Sequence, residues 1–172
     1  MQSVKKFLIF FRLYSCEPGR SVGCTWLGRR WQILDHMHEA HATTLVLNGN
    51  TICKIKEFLL HDHSLTTQII EAHGELFWFR HEKDSSKSKF FIAVQYIGPE
   101  KDAENYKYEC KFTSTNSSGM EVKFIRNTHK DTEIIEDMFS SEDCLCVSIR
   151  VTKNFVAEDD TLRFSLKVLM KE

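Results

Sequence analysis

The chain has 172 residues, of which 42% are hydrophobic and 12% aromatic, so it has enough apolar material for one ordinary domain and a small second module. This composition excludes an intrinsically disordered chain. The net charge of −1 gives no field that attracts a polyanion, and no apolar run has the length of a membrane span, so we expect neither a nucleic-acid partner nor a membrane partner.

The first segment, residues 1–11, carries an apolar run from Phe7 to Phe11 that follows two lysines and ends before Arg12. This run is shorter than the apolar region of a secretory signal peptide, so we do not predict secretion. Four of the six cysteines lie in apolar or alternating stretches, where buried and reduced thiols are the common outcome. These four are Cys53, Cys110, Cys144 and Cys146. We therefore expect a reducing compartment, which is the cytoplasm or the nucleus.

The next segment, residues 12–42, contains two cysteines and two histidines in the order expected of a zinc finger. Seven residues separate Cys16 from Cys24, eleven more precede His36, and four more precede His41. Two thiolates and two imidazoles are the ligand set that Zn²⁺ prefers in closed structural sites. We therefore predict that these four residues bind Zn²⁺, and that the metal stabilises the module rather than taking part in a reaction.

Two alternatives to this ligand set stay open at the level of sequence. A helix is predicted from Arg29 onward, and His38 faces partly the same way as the predicted ligands, so it is a competing ligand. The other alternative is that reduced cysteines and surface histidines cluster here by chance. Three apolar residues, Trp26, Trp31 and Leu34, are expected to pack beside the ion. In so small a module this apolar burial cannot stabilise the fold alone, so the metal has to contribute.

After residue 42 the hydrophobic period changes from helical to two, which is typical of β-strands. Seven short runs rich in β-branched and aromatic residues are predicted strands, and polar turn segments separate them. The runs cover residues 44–47, 77–79, 90–97, 106–112, 122–125, 145–151 and 162–170. The pattern predicts a mainly β protein, in which the small finger is followed at 43–172 by an antiparallel β-sandwich of about seven or eight strands.

One short helix is predicted to interrupt the sandwich. Asp131 is the expected N-cap, and the apolar residues that follow it recur on one side of a helix. These apolar residues are Ile134, Ile135, Met138 and Phe139. We expect this helix to cover one end of the sandwich.

The sequence offers no reaction centre, because it contains no glycine-rich phosphate loop, no GxSxG elbow and no HExxH helix. His61 and His63 are spaced to share a strand face, but no third ligand lies near them, which favours a solvated loop. Cys144 and Cys146 are too close in sequence for a redox CxxC pair. We predict no catalytic residue. An antiparallel sandwich with exposed edges can instead bind extended peptides by adding a strand.

Five segments in order carry a resemblance to a known family. They are Tyr14-Ser15-Cys16; the stretch from Cys24 to Gly28, with His36 and His41 beyond it; Phe90 to Gly98; Ala103 to Tyr108; and Ser141 to Leu145. Together they resemble the seven-in-absentia (SINA/SIAH) family of RING E3 ubiquitin ligases, from about Arg12 to the C-terminus. Ordered agreement over most of a chain is more specific than any one motif.

The resemblance implies the second zinc finger of the family followed by a TRAF-like substrate-binding sandwich. It implies that Cys16, Cys24, His36 and His41 are the ligands of that finger. It further implies that the sandwich binds degradation substrates or adaptors through extended peptide segments, and that it forms a homodimer or a mixed dimer with full-length family members. The RING and first finger are absent from this chain, so we expect a fragment or a RING-less paralogue without intrinsic ligase activity.

The resemblance also implies a groove in which family members accept a valine-proline-containing peptide along a strand edge. Leu47 falls on an apolar position of this groove, whereas Ser64, Thr66 and Gln68 stand where the family has larger apolar side chains. Each lost anchor costs about 1–3 kcal/mol of binding when ligand buries it, so we expect weak binding of the family peptide. A non-catalytic TRAF-like adaptor or scaffold with other peptide partners is the alternative function.

Overall fold

The computed structural model describes residues 12–42, 46–114 and 119–172. The N-terminal segment 1–11, the predicted boundary at 43, the first half of the predicted strand 44–47 and residues 115–118 lie outside the described residues, and so do the predictions made for them.

The finger segment folds as a short hairpin followed by a helix. Strand β1 (Tyr14–Ser15) pairs antiparallel with β2 (Leu27–Gly28), 3₁₀ turns span Arg20–Val22 and Arg30–Gln32, and helix α1 spans Ile33–Ala40. Ile33 and Met37 are one helical turn apart, and both are buried because α1 presents this face to the rest of the protein. The α-helix is shorter than predicted, and His41 lies just beyond its last residue.

Two sheets form the sandwich. The large sheet contains β3 (Val46–Asn48), β5 (His63–Ala72), β6 (Glu75–Asp84), β7 (Lys89–Tyr96), β10 (His129–Lys130) and β11 (Leu145–Ser148), in the order β10-β7-β6-β5-β3 with β11 also on β7. The small sheet contains β4 (Asn50–Ile55), β8 (Tyr106–Thr113), β9 (Glu121–Asn127) and β12 (Leu162–Met170), in the order β4-β12-β8-β9. Only the pairings of β3 with β5 and of β10 with β7 are parallel in the described part of the chain.

The core lies between the two sheets and is rich in aromatic rings. Phe77 and Phe79 from the large sheet face Phe112 and Phe164 from the small one, and all four are buried. Their packing follows from the period of two in each strand, because alternate side chains point to the same face. The β5–β6 hairpin closes through His73 and Gly74, whose φ values of 56° and 73° are those a two-residue hairpin turn requires.

The mainly β fold with an antiparallel sandwich is confirmed, with ten strands in the two sheets of the described residues. The sequence did not predict β4 or β5. In β4 an exposed residue, Ile52, breaks the alternation, and the first half of β5 has few apolar residues. The predicted strand 145–151 ends early, since the Ser148 hydroxyl accepts the amide of Val151 and starts the short helix α3 (Ile149–Thr152).

The predicted helix near residue 135 exists, but two expectations about it were wrong. Helix α2 (Ile135–Ser140) covers the outer face of the large sheet rather than an end of the sandwich, and Phe139 stacks on Phe91 at 5.3 Å between ring centroids. Asp131 does not cap it, because its carboxylate accepts a hydrogen bond from Arg12 at 2.9 Å. Ile134 is 60% exposed. Within the described ranges, no helix is long and apolar enough to span a membrane.

Candidate metal centre

The four predicted ligands meet at one point. One donor atom each from Cys16, Cys24, His36 and His41 lies within 4.8 Å of the other three. The Sγ of Cys24 is 3.5 Å from the Nε2 of His36. Tetrahedral zinc with bonds of about 2.3 Å to sulfur and about 2.1 Å to nitrogen places such a pair about 3.6 Å apart. The four donors therefore have the composition of a closed zinc site, and the Cys24–His36 pair has the separation expected in one.

The local backbone brings these donors together. Cys16 follows β1 directly, and Cys24 precedes β2 by two residues, so the hairpin holds both thiols on one side. The amide of Gly19 donates to the Cys16 Sγ at 3.3 Å. A Cβ on Gly19 would lie 2.6 Å from the Cβ of Cys24 and from the Nε2 of His41. Only glycine fits at this position, because the chain passes directly over the donor group.

A buried nitrogen in the cluster lacks a partner. The Nε2 of His41 is inaccessible to solvent and forms no hydrogen bond. A polar atom in that state costs free energy unless something binds it, and a metal ion among four donors satisfies it. The His36 ring is held in place by Trp26, which stacks on it at 4.4 Å with the two planes 5° apart. The residues present therefore fit a zinc ion.

Burial shifts the proton affinity of two of these donors. It raises the pKa of the Cys16 thiol to about 11. The pKa of His36 is lowered, chiefly by burial and then by the neighbouring His41. At neutral pH the metal-free thiol of Cys16 is therefore protonated, so metal binding at this site must release a proton.

The competing and supporting residues fall into three groups. His38 is exposed and is not among the grouped donors, so the structure separates it from the predicted ligands. Leu34 is half-buried beside the cluster, as Trp26 is. The expectation for Trp31 was wrong, because its side chain is 64% exposed. Trp31 belongs to the 3₁₀ turn before α1, which directs it away from the donors.

The finger packs on the outer face of the large sheet. Tyr14, Cys16, Ile33 and Met37 form one buried cluster with Ile69, Leu76, Trp78 and Ile97 of the sandwich. Beside this cluster, Arg80 donates to Glu17 at 3.0 Å, with about a tenth of each side chain exposed. Arg30 binds the carbonyl of Ile97 at 2.7 Å and forms an ion pair with Glu75.

Sequence reasoning missed these ion pairs. The arginines and their partners are tens of residues apart in the chain, and no spacing signals such a contact. The shared apolar cluster and these ion pairs together join the two modules.

The predicted groove positions share one face of the large sheet. Leu47 lies opposite Ile70, and the alternation of β5 places Ser64, Thr66 and Gln68 on the same inner face. All four side chains are half-buried. An open pocket of about 380 Å³ adjoins Leu47, between β3 and the residues from Glu71 to Gly74. The three polar residues do not line this pocket.

Two buried polar side chains lie next to the polar positions and were missed by sequence reasoning. His81 is opposite Thr66 and Lys83 is opposite Ser64. The Nζ of Lys83 donates to the carbonyl of Phe58 at 2.7 Å. The Nδ1 of His81 has no hydrogen-bond partner, and burial lowers the pKa of its ring to about 4. Both sit at inward positions of β6, where apolar residues are the usual occupants.

The other candidate groups carry no separate site. His61 and His63 are exposed and do not group with a third donor in the described residues. The four remaining cysteines are free thiols. His129, Glu133 and Asp143 have donors within 4.8 Å of one another. There, however, Glu133 already accepts from the His129 ring at 3.0 Å and from the Lys130 amide at 2.9 Å.

Comparison with known proteins identifies the family to which the chain belongs. The family model "Sina, TRAF-like domain" matches residues 70–168, which is more than half of the chain. The chain is 32% identical over 107 residues to "E3 ubiquitin-protein ligase siah2" of Xenopus laevis, covering 57% of this chain and 32% of that protein. It is 25% identical over 170 residues to "E3 ubiquitin-protein ligase siah-1" of Caenorhabditis briggsae, covering 92% and 37%.

A third relative is "E3 ubiquitin-protein ligase sina" of Drosophila melanogaster, which is 26% identical over 153 residues, covering 84% of this chain and 46% of that protein. The chain thus spans between a third and a half of the length of these relatives. The sandwich and the family match define the class as a TRAF-like domain. Within that class, the chain belongs to the Sina family, as the resemblance in its sequence predicts.

Proposed function

We propose that this chain is a zinc-binding substrate-recognition and dimerisation module of a SINA-type ubiquitin ligase, acting in ubiquitin-dependent protein degradation. The observation that carries this proposal is the family match over residues 70–168, since the relatives with the same domain are named E3 ubiquitin-protein ligases. The module has two parts, a finger at 12–42 and a substrate-binding sandwich at 43–172. Its partners are degradation substrates or adaptors, in the cytoplasm or nucleus.

Zinc has a structural role in this proposal. Cys16, Cys24, His36 and His41 hold the ion, which when bound crosslinks the hairpin to the end of α1. The convergence of the four donors and the unpartnered Nε2 of His41 support this assignment. The finger then stabilises the face of the large sheet on which it packs.

Strand addition is the proposed mode of substrate binding. Strand β3 is the last strand of the large sheet in the described residues, so its outer edge is available to an extended segment. Backbone hydrogen bonds to β3 supply affinity, and the pocket beside Leu47 selects a side chain. Because Ser64, Thr66 and Gln68 are polar, the preferred peptide differs from the valine-proline type that the family resemblance implies.

A peptide array read by fluorescence tests this proposal. The chain is expected to bind extended peptides, and Leu47→Asn is expected to weaken the best binder roughly fivefold or more. Ile134→Asp is the matched control, since Ile134 is 60% exposed and precedes α2, which packs on β7, three strands away from β3. Thermal unfolding of both variants establishes that they are folded. Equal binding by the Leu47 variant and the unaltered chain would place the groove elsewhere.

The alternative function is a TRAF-like adaptor or scaffold that binds peptides outside ubiquitin-dependent degradation. The polar residues Ser64, Thr66 and Gln68 favour it, because a polar groove selects a different ligand. The same array separates the two functions. Recovery of the valine-proline peptide as the best binder contradicts the adaptor, whereas its absence among the binders supports the adaptor.

Ligase activity is tested separately with the chain alone. Since the printed chain contains no RING-type cysteine pattern, we expect no product in an autoubiquitination assay with E1 and E2 enzymes. Robust formation of ubiquitin chains would contradict the proposal that this module only recognises substrates and dimerises. Dimerisation is tested by sedimentation of the zinc-loaded chain, alone and mixed with a full-length family member.

A further inference from the structure

The outer face of the small sheet is uncovered by any other described element and has an unusual charge. Strands β8 and β12 alternate strictly between buried and half-buried residues, so the inward and outward sets are unambiguous. The charged outward side chains are Lys54, Lys107, Lys111, Lys123, Arg163 and Lys167, with Glu109 and Glu121. Six basic and two acidic groups therefore share one face of a chain whose net charge is −1. We call this set of outward side chains the basic face.

Like charges stand directly opposite each other on the basic face. Arg163 pairs in register with Lys54, and Lys111 pairs with Lys123. Directly opposed like charges destabilise an antiparallel sheet. The second pair is compensated, since Lys111 contacts Glu121 at 2.7 Å and Lys123 contacts Glu109 at 3.2 Å.

Three lysines of the basic face form no ion pair in the described residues, although one of them, Lys167, stands opposite Glu109, which contacts Lys123 instead. Within the described ranges Lys54, Lys107 and Lys167 form no ion pair, while the neighbouring Arg163 contacts Asp159 at 2.6 Å. Lys167 lies on the central strand β12, and the other two lie on the strands at either side of it. Lys54 and Lys107 are aligned with Arg163 and Leu169 of β12, which are six residues or about 20 Å apart, so an extended acidic segment running along β12 is needed to reach all three lysines.

Apolar side chains lie among these charges. Ile52 is 66% exposed and Ile125 is 51% exposed, and they lie on β4 and β9, the two outer strands of the small sheet. Three strand spacings and a two-residue offset along the strands separate them, which is about 16 Å. The outward positions of the four strands include no aromatic side chain, so the basic face offers no stacking platform for bases. A protein partner fits this mixture better than a nucleic acid.

We infer that the basic face is a docking surface for an acidic segment of a partner protein that also carries apolar side chains. Charge complementarity selects the partner, and Ile52 and Ile125 anchor it. A second copy of this chain fits less well. In a two-fold dimer built on this face, the six basic groups of one copy would meet those of the other, with only Glu109 and Glu121 to offset them. The inference is independent of peptide binding at β3.

Binding of a defined probe tests the inference. The probe is a fluorescein-labelled amphipathic peptide of about 20 residues made of Glu and Leu, and binding to the zinc-loaded chain is followed by anisotropy at about 50 mM and about 300 mM salt. The variant Lys54→Glu/Lys107→Glu/Lys167→Glu is expected to bind roughly tenfold more weakly. The variant Lys101→Glu/Arg150→Glu/Lys153→Glu is the matched control, since it changes the same charge at exposed positions elsewhere.

The outcomes divide clearly. Loss of binding in the first variant only, with weaker binding of a peptide in which Ser replaces Leu, supports the inference. Absence of binding by the unaltered chain, or equal loss in both variants, overturns it. Single-stranded DNA of equal charge that binds as tightly as the peptide also overturns it, because the face would then be a general polyanion surface. Thermal unfolding confirms that both variants fold.

Discussion

His41 is the residue on which the zinc assignment can be tested most sharply. His41→Ala is expected to lower the zinc content from one ion per chain to roughly a tenth of that, because three ligands hold structural zinc poorly. His38→Ala is the matched control, since His38 is exposed on the same helix and outside the donor group. Metal analysis after gel filtration with a chelator measures both. Equal zinc in the two variants would contradict the assignment.

His81 makes stability depend on pH. Burial lowers its pKa from 6.5 to about 4, so between these values the unfolded chain binds a proton that the folded chain does not. Above about pH 6.5 the protonation of His81 therefore does not lower the free energy of unfolding. Below that value the free energy of unfolding falls as the pH decreases towards about 4. Lowering the pH from about 7 to about 5 costs about 2 kcal/mol through this residue.

His81→Leu removes that dependence, because leucine does not titrate. Leucine also has a similar volume, so it can occupy the same buried position. Urea unfolding at the two pH values is expected to show a smaller loss in the variant by about 2 kcal/mol. His63→Leu is the control, since the His63 side chain is exposed on the neighbouring strand β5. An identical loss of stability in His81→Leu and the unaltered chain would show that another group carries the pH dependence.

Residue types in order were enough to predict that Cys16, Cys24, His36 and His41 converge in space. Burial of individual side chains was harder. Trp31 is exposed although it is aromatic, and His81 and Lys83 are buried although they titrate. Each of these depends on which face of an element meets the core, and a one-residue change of phase in a strand reverses it.

The contact between the finger and the large sheet includes one ion pair with little solvent access, Arg80 with Glu17. Arg80→Met is expected to lower the free energy of unfolding by about 3 kcal/mol, because it leaves the Glu17 carboxylate partly buried and without its closest buried partner. Adding Glu17→Gln should recover part of the loss. Arg163→Met is the control, because that pair is more exposed and its loss is worth less than about 1 kcal/mol. Equal effects would mean that the buried pair does not hold the finger.

Strand pairing in the small sheet gives a prediction of the opposite sign. Lys54→Glu turns a like-charge pair with Arg163 into an attractive one and is expected to stabilise the protein by about 0.5 kcal/mol at low salt. Lys54→Gln should give about half of that gain. Urea unfolding at low and high salt measures both, and the gain should shrink as salt rises. Destabilisation by the charge reversal would show that the basic face is not under repulsion.

Elements with a clean period were predicted well. Strand β12 spans Leu162–Met170, as its alternation indicates, whereas β4 and β5 were missed. Whether a strand can be recognised in the sequence depends on its solvent-facing residues, since an apolar residue such as Ile52 on the solvent side removes the alternation. The position of α2 on a sheet face could not be predicted either, because its amphipathic pattern states only that one side is buried.

At the scale of the whole molecule, the two faces of the sandwich differ. The finger and α2 cover the outer face of the large sheet, while the outer face of the small sheet is basic and uncovered by other described elements. The proposed peptide edge at β3 belongs to the large sheet. The proposals for zinc, for strand addition and for an acidic partner therefore concern separate surfaces and can be tested independently.

Amide hydrogen exchange of the zinc-loaded chain, with and without the best-binding array peptide, tests the proposed function most directly. Strand addition predicts new protection at Val46–Asn48, because a bound segment pairs with the outer edge of β3. Protection there should be lost in Leu47→Asn and kept in Ile134→Asp. Protection confined to another edge, or unchanged exchange at β3 under saturating peptide, would contradict a substrate-recognition module that works by strand addition at this edge.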